Sequence, residues 1–262
     1  MTQSVLQIGC GNMGGALLAR WQELPDLSFS VVDPALDDAP TGATLVRDLS
    51  DLAPRSFDLV IVAIKPQLID TIIPTIASAL NPEGLVISIA AGTSAQVVSQ
   101  AFGKAPVVRL MPNMPARVGR GVSGLFAQTE VSEAQRDLSA RLASAAGRAV
   151  WVDDEDAIDR ITASVGSGPG YIFEFARSYQ ASIEALGFAP TDARQMVIET
   201  MLGSLLLAED DSTSFEDLRK SITSKGGTTA AGLSALNGDG ALDDRLVSAL
   251  EAAYARAVEL RQ

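Results

Sequence analysis

Gly9-Cys10-Gly11-Asn12-Met13-Gly14 sets three glycines at G-x-G-x-x-G spacing, directly after the apolar run Val5-Leu6-Gln7-Ile8 and directly before Ala16-Leu17-Leu18. Such a strand, turn and helix start suits the pyrophosphate of a dinucleotide. Gly9 permits the tight turn, Gly11 lets the backbone approach phosphates, and Gly14 lets the helix pack on its strand. The amides around Asn12 and Met13 would then present N–H donors at the positive end of the helix. A tight strand-to-helix turn that holds no ligand has the same local sequence.

Further candidates follow at the expected ends of strands. Asp33 lies 24 positions after Gly9, where a carboxylate accepts hydrogen bonds from adenosine ribose hydroxyls and repels the extra phosphate of NADP, which tilts the expectation toward NADH, although a neighbouring loop can still supply an arginine for that phosphate. An ordinary loop aspartate before Pro34 is the other possibility. Ala63 stands near the end of the run 59–64 and Lys65 and Pro66 directly follow it, at the edge where ligands of open α/β sheets sit. Asn113, fixed between Pro112 and Pro115, has an amide that can orient a nicotinamide carboxamide or bridge its own turn. Cys10, the one cysteine, stands between two glycines and reads as a small filler rather than a nucleophile.

A second glycine turn comes late, in Ser221-Ile222-Thr223-Ser224-Lys225-Gly226-Gly227-Thr228-Thr229-Ala230. The free amides of Gly227, Thr228 and Thr229, with the threonine hydroxyls, would form an anion-binding helix start suited to a small carboxylate. The same residues also fit a helix-to-helix turn with a threonine cap.

The elements that must position these groups divide near residue 155. Up to about residue 152, β-branched runs alternate with helical patterns, which implies a doubly wound parallel sheet covered on both faces. From Ala157 onward the pattern is all helical. The expected organisation is therefore a dinucleotide-binding domain over 1–155 and an all-helical domain over 156–262. Phe173, Phe175, Ile183, Leu186, Met196, Met201, Leu205 and Leu206 exceed what a small bundle would bury, so a homo-oligomer built through this half is expected.

Composition narrows the chemistry. The chain has no histidine, which removes histidine acid–base catalysis, Ser-His-Asp arrangements and most transition-metal sites. The densest acidic cluster, Asp153-Asp154-Glu155-Asp156, precedes an apolar-periodic run and is expected to cap a helix rather than hold a metal. A net charge of −12 disfavours nucleic-acid and anionic-membrane partners. The first strand begins without a basic and apolar leader, and no apolar run of about 18 residues suggests a span, so a cytoplasmic location is expected.

The segments GCGNMGGALL, AIKPQ, ISIAAG, RLMPNMPARVGRG, SVGSGPGYIF and, most specifically, ITSKGGTTAAGL together resemble the pyrroline-5-carboxylate reductase family along the whole chain. Lys225 stands where the family usually has proline, and Gly170 where alanine is common. The resemblance implies hydride transfer from NADH or NADPH to the ring C=N of 1-pyrroline-5-carboxylate, giving L-proline. It implies that Ser224, Gly226, Gly227, Thr228 and Thr229 hold the substrate, with Thr229 reaching the ring nitrogen as the catalytic residue. It also implies homodimers through the C-terminal helices, often assembled into decamers, with sites that use two chains.

The expected rivals are weaker. A β-hydroxyacid dehydrogenase of the 6-phosphogluconate type needs a lysine early in the helical half, and none lies between Lys104 and Lys220. Imine reductases for other substrates, and reductases that use deazaflavin and NADP, share the first domain but lack the Gly-Gly-Thr-Thr turn. A non-catalytic dinucleotide sensor has no use for a second anion-binding loop.

Overall fold

In Val5-Leu6-Gln7-Ile8, alternate side chains enter two different cores, because successive residues of a strand face opposite sides of a sheet. Val5 packs with Leu17, Trp21, Leu59, Ile61, Val108 and Leu142, whereas Leu6 and Ile8 pack with Val60, Val62, Ile73, Val86 and Val98. Continuous apolar strands of this kind are stable only with a covered layer on each side. The computed structural model describes residues 2–47, 52, 54, 56–210 and 212–261.

The strands are β1 (Gln3–Ile8), β2 (Leu27–Val32), β3 (Ala43–Leu45), β4 (Phe57–Val62), β5 (Leu80–Ser88), β6 (Val107–Met111), β7 (Gly121–Ala127) and β8 (Gly147–Trp151). Among the described residues they form one eight-stranded sheet in the order β3-β2-β1-β4-β5-β6-β7-β8. Helices α1 (Asn12–Trp21) and α4 (Glu133–Ala145) supply residues to one core, and α2 (Ile69–Ile76) and α3 (Ala95–Ala101) to the other. The strand order reverses between β1 and β4, and ligands of doubly wound folds bind at such a switch point.

Two details depart from the sequence expectation. The sheet is not wholly parallel, since β7 runs antiparallel to β6. Residues 112–120 between them hold only a 3-10 turn, Met114–Val118, and a parallel return needs a crossover of about a dozen residues or more. The apolar helix expected to reach Leu80 stops at Ile76, followed by a 3-10 turn over Ala77–Ala79, and Leu80 opens β5.

Beyond the sheet come α5 (Glu155–Ile161), a π-helical turn (Thr162–Gly166), α6 (Gly168–Ala185), α7 (Pro190–Asp210), α8 (Phe215–Ser221), α9 (Thr228–Asn237) and α10 (Ala241–Glu259). Asp154 caps α5 by accepting from the Ala157 amide, as the acidic cluster suggested. The chain forms two compact units, residues 1–169 with 252–262, and residues 170–251. Strands end at Trp151, yet the first unit extends past them because α5 is tied to the end of the chain. Tyr254 donates to Asp156 at 2.7 Å, and Arg261 donates to Asp156 at 3.0 Å and to the buried Asp159 through Nε at 2.6 Å. Among the described residues no helix is long and apolar enough to cross a membrane.

Candidate functional site

At the end of β1 the chain turns at Gly9 with φ +90°, a conformation that side chains resist. A Cβ there would also lie 2.5 Å from the Ala63 carbonyl oxygen, so β1 and the exit of β4 approach each other only because residue 9 is glycine. Gly14 is confined in the same way, with the Gly9 oxygen 2.8 Å from where its Cβ would stand. Around Gly11, in contrast, there is open space. Gly11 is the N-cap of α1 and has no side chain to satisfy the first-turn amides, so Asn12 and Met13 lie where N–H groups are left for an outside acceptor.

Gln7 holds this turn, a role that sequence reasoning missed. Fully buried, its Nε2 donates to the Gly9 carbonyl at 2.9 Å and to the Gly14 carbonyl at 3.2 Å, bracketing the loop from below. A lone glutamine inside an apolar strand was the available signal, since a buried amide must find partners. Asp33 closes the other side. Its Oδ2 accepts from the Cys10 amide at 2.6 Å and its Oδ1 from the Ala35 amide at 2.9 Å, which leaves each oxygen capacity for one more donor. Burial, and after it the Asp33 charge, push the Cys10 thiol above its ordinary range, away from nucleophilic thiolate character.

Between these elements opens a cavity of about 650 Å³. Gly9, Gly11, Asp33, Ala63 and Lys65 all line it, so the fold brings together residues that are up to 56 positions apart. Its apolar wall includes Val32, Val46, Leu68 and Ile72, a surface suited to a flat heteroaromatic ring. Pro66 starts the 3-10 turn that follows Lys65. Arg47, which the sequence did not single out, also lines the space. The open glycine, the free helix start and the Asp33 carboxylate at the end of β2 fit a dinucleotide.

Asn113 lies elsewhere. It is buried, its Oδ1 accepting from the Val122 amide at 2.9 Å and its Nδ2 donating to the Val165 carbonyl at 2.9 Å. Of the two uses open to it, the structure shows the bridging one, and between distant segments rather than within its own turn.

In the second unit, α8 ends at Ser221 and α9 begins at Thr228, with Gly226 at φ +73° turning the chain between them. Gly227 is the N-cap of α9 and no side chain caps the helix. The three free amides expected here are reduced to two, because Gly227 donates to the Ser224 carbonyl at 3.1 Å. That bond closes the loop and leaves the Thr228 and Thr229 amides at the helix start. A Cβ on Gly227 would stand 2.4 Å from the Ser224 hydroxyl oxygen, so the serine and the helix start are packed together. Exposed hydroxyls, two amides and no acidic residue in the first turn make this a place for a small anion.

The same unit leaves much apolar surface uncovered in a single chain. Phe173 is 72% exposed and Leu205 55%, and with Ile172, Val197 and Met201 they line a groove of about 530 Å³ between α6 and α7.

Comparison with known proteins converges on one family. Residues 155–260 match the family model for pyrroline-5-carboxylate reductase dimerisation, and residues 5–92 the model for NADP oxidoreductase, coenzyme F420-dependent. The pyrroline-5-carboxylate reductase of Pseudomonas aeruginosa is 35% identical over an alignment of 268 residues, covering 100% of this chain and 98% of the relative. A solved pyrroline-5-carboxylate reductase from Coxiella burnetii is 32% identical with a TM-score of 0.91, both chains being covered completely. The Plasmodium falciparum pyrroline carboxylate reductase, solved with NADP bound, shares the fold at a TM-score of 0.86 and 23% identity, over 99% of this chain and 98% of that one.

Proposed function

The chain belongs to the pyrroline-5-carboxylate reductase family, and from that premise we infer that it reduces 1-pyrroline-5-carboxylate to L-proline with a nicotinamide dinucleotide. The observation that carries this is the full-length relationship, in particular the match over 155–260, because the first unit alone suits many dinucleotide enzymes. NADH or NADPH, when bound, supplies the hydride.

On this reading the Gly9–Gly14 turn and the amides of Asn12 and Met13 hold the pyrophosphate, and Ala63, Lys65 and Pro66 border the cofactor. Asp33, with acceptor capacity left on both oxygens, takes the adenosine ribose hydroxyls of NADH. Ser224, Gly226, Gly227, Thr228 and Thr229 hold the substrate carboxylate at the start of α9. The Thr229 hydroxyl orients the ring nitrogen.

No group with a pKa near neutrality is required. A protonated cyclic imine is already electrophilic, having taken its nitrogen proton from solvent before it binds, so the chain needs only to bind it, orient it and exclude bulk water. Self-association through the exposed faces of α6 and α7 gives a dimer, with a decamer as the larger assembly.

Thr229→Ala tests the assignment. It is expected to lower kcat/KM for 1-pyrroline-5-carboxylate by about a hundredfold, the scale of one transition-state hydrogen bond, with dinucleotide affinity near normal. Loss of dinucleotide affinity with unchanged turnover of bound substrate would remove Thr229 from this role.

A further inference from the structure

The dinucleotide cavity contains a cation that Asp33 alone does not explain. We propose that Arg47 reads the 2′-phosphate of NADPH, so that one cavity accepts both dinucleotides, Asp33 serving the ribose hydroxyls of NADH and Arg47 the phosphate of NADPH. This rests on taking the cavity as the adenosine end of the dinucleotide site.

Position is the first argument. β2 and β3 pair in parallel with Val31 opposite Leu45, and the Val46 amide continues the ladder by donating to the Val31 carbonyl at 2.8 Å. That register brings Arg47 alongside the end of β2, and Arg47 and Asp33 line the same cavity. The second argument is the state of the guanidinium. Its Nη1 donates to the Leu36 carbonyl at 2.9 Å and its Nη2 to the Asp37 carbonyl. Both acceptors are neutral, and among the described residues no carboxylate pairs with Arg47. Of five guanidinium donors only two are in use, so a phosphate can be received without breaking an ion pair.

The third argument concerns Asp33, whose charge would oppose a neighbouring phosphate. Its two oxygens accept the Cys10 and Ala35 amides, so main-chain dipoles stabilise the charge in place. The carboxylate is therefore built into the loop and stays there whichever dinucleotide binds. Lys65 lines the cavity as well, but a flexible ammonium offers a point charge where a guanidinium offers a planar fork.

The test uses adenosine fragments and the full-length protein, so it does not depend on turnover. By calorimetry the wild-type chain is expected to bind 2′,5′-ADP about tenfold or more tightly than 5′-AMP, as charge-assisted bonds to a phosphate should provide. In Arg47→Ala that ratio should fall to within about twofold while 5′-AMP affinity holds, and Arg47→Lys should keep part of it. The ratio of kcat/KM for NADPH to that for NADH should fall by the same factor.

A wild-type ratio retained in Arg47→Ala overturns the proposal, as does equal loss of both fragments, which would mark Arg47 as a brace for the 36–37 loop only. A ratio that collapses in Lys65→Ala and not in Arg47→Ala overturns it too. Failure of the reductase reading looks different: the fragments bind as described, yet 1-pyrroline-5-carboxylate is not reduced with either cofactor.

Discussion

The two units of the chain solve the burial problem differently. In the sheet-containing unit, large side chains such as Trp21, Leu59, Ile61 and Ile73 are essentially inaccessible, and even the Trp21 N–H is satisfied, by the Leu142 carbonyl at 2.9 Å. In the helical unit α6 has no fully buried residue, and Phe173, Leu186, Leu207, Phe215 and Ile222 are each at least 70% exposed. A single chain of the first kind is complete as it stands. The second kind has an apolar face that water disfavours by about 25 cal/mol per Å², and a second copy of the same face is the economical cover.

The largest effect should follow from spoiling that face. Replacing Phe173 and Leu205 together by Asp removes two apolar anchors, each worth about 1.5–3 kcal/mol when buried, and places charges where none can be solvated. A loss of about 3 kcal/mol or more raises the dimer Kd by a hundredfold or more, visible by sedimentation across a concentration series. Binding of 2′,5′-ADP, whose proposed site lies in the first unit, should persist. A variant that still sediments as the wild type would show that another surface holds the copies together.

A smaller effect separates two glycines of one turn. Gly9→Ala forces a Cβ to within 2.5 Å of the Ala63 carbonyl at φ +90°, so stability should fall by about 1–3 kcal/mol and the thermal transition with it. Gly11→Ala meets nothing within 4 Å and should leave the transition unmoved while weakening dinucleotide binding by about tenfold. The contrast sharpens the division between fold and ligand: one glycine serves the approach of β1 to β4, the other keeps space for something outside the chain. If both substitutions lower the melting temperature equally, that division fails.

The sequence disclosed whatever is local. The G-x-G-x-x-G turn, the capping aspartate of α5 and the Gly226–Gly227 turn were legible because neighbouring residues build them. Partners distant in the chain were not. Spacing singled out Asp33 as a candidate, but its bond to the Cys10 amide depends on how β2 lies against β1. Arg47 follows a three-residue strand with little signal of its own, and only the pairing of β3 with β2 carries it to the cavity. Asn113 finds Val165 through packing that no spacing rule contains. The antiparallel β7 was hidden because strand direction is set by the length of a connection, not by the strand's residues.

The smallest predicted effect contrasts the carboxylates of the two units. In the first unit Asp58 accepts the Ser4 amide at 2.9 Å, the Ser4 hydroxyl at 3.0 Å and the Asn81 amide at 2.7 Å. The Ser4 amide, above all, holds its carboxyl below the ordinary value, against the opposing effect of partial burial. Glu174 of the second unit is likewise held low, by Arg177, but that pair is fully in solvent and contributes little. A carboxylate depressed in the folded state stabilises above its unfolded pKa of about 3.9, and the stabilisation drains away as pH falls through the folded value. Asp58→Asn should therefore cost about 1 kcal/mol at pH 6 and approach the wild type as pH falls through the folded value, whereas Glu174→Gln should track the wild type throughout. Thermal unfolding followed from pH 2.5 to 7 decides it: a gap between Asp58→Asn and wild type that stays constant with pH would mean that the Ser4 and Asn81 bonds stabilise the strand end without regard to the charge.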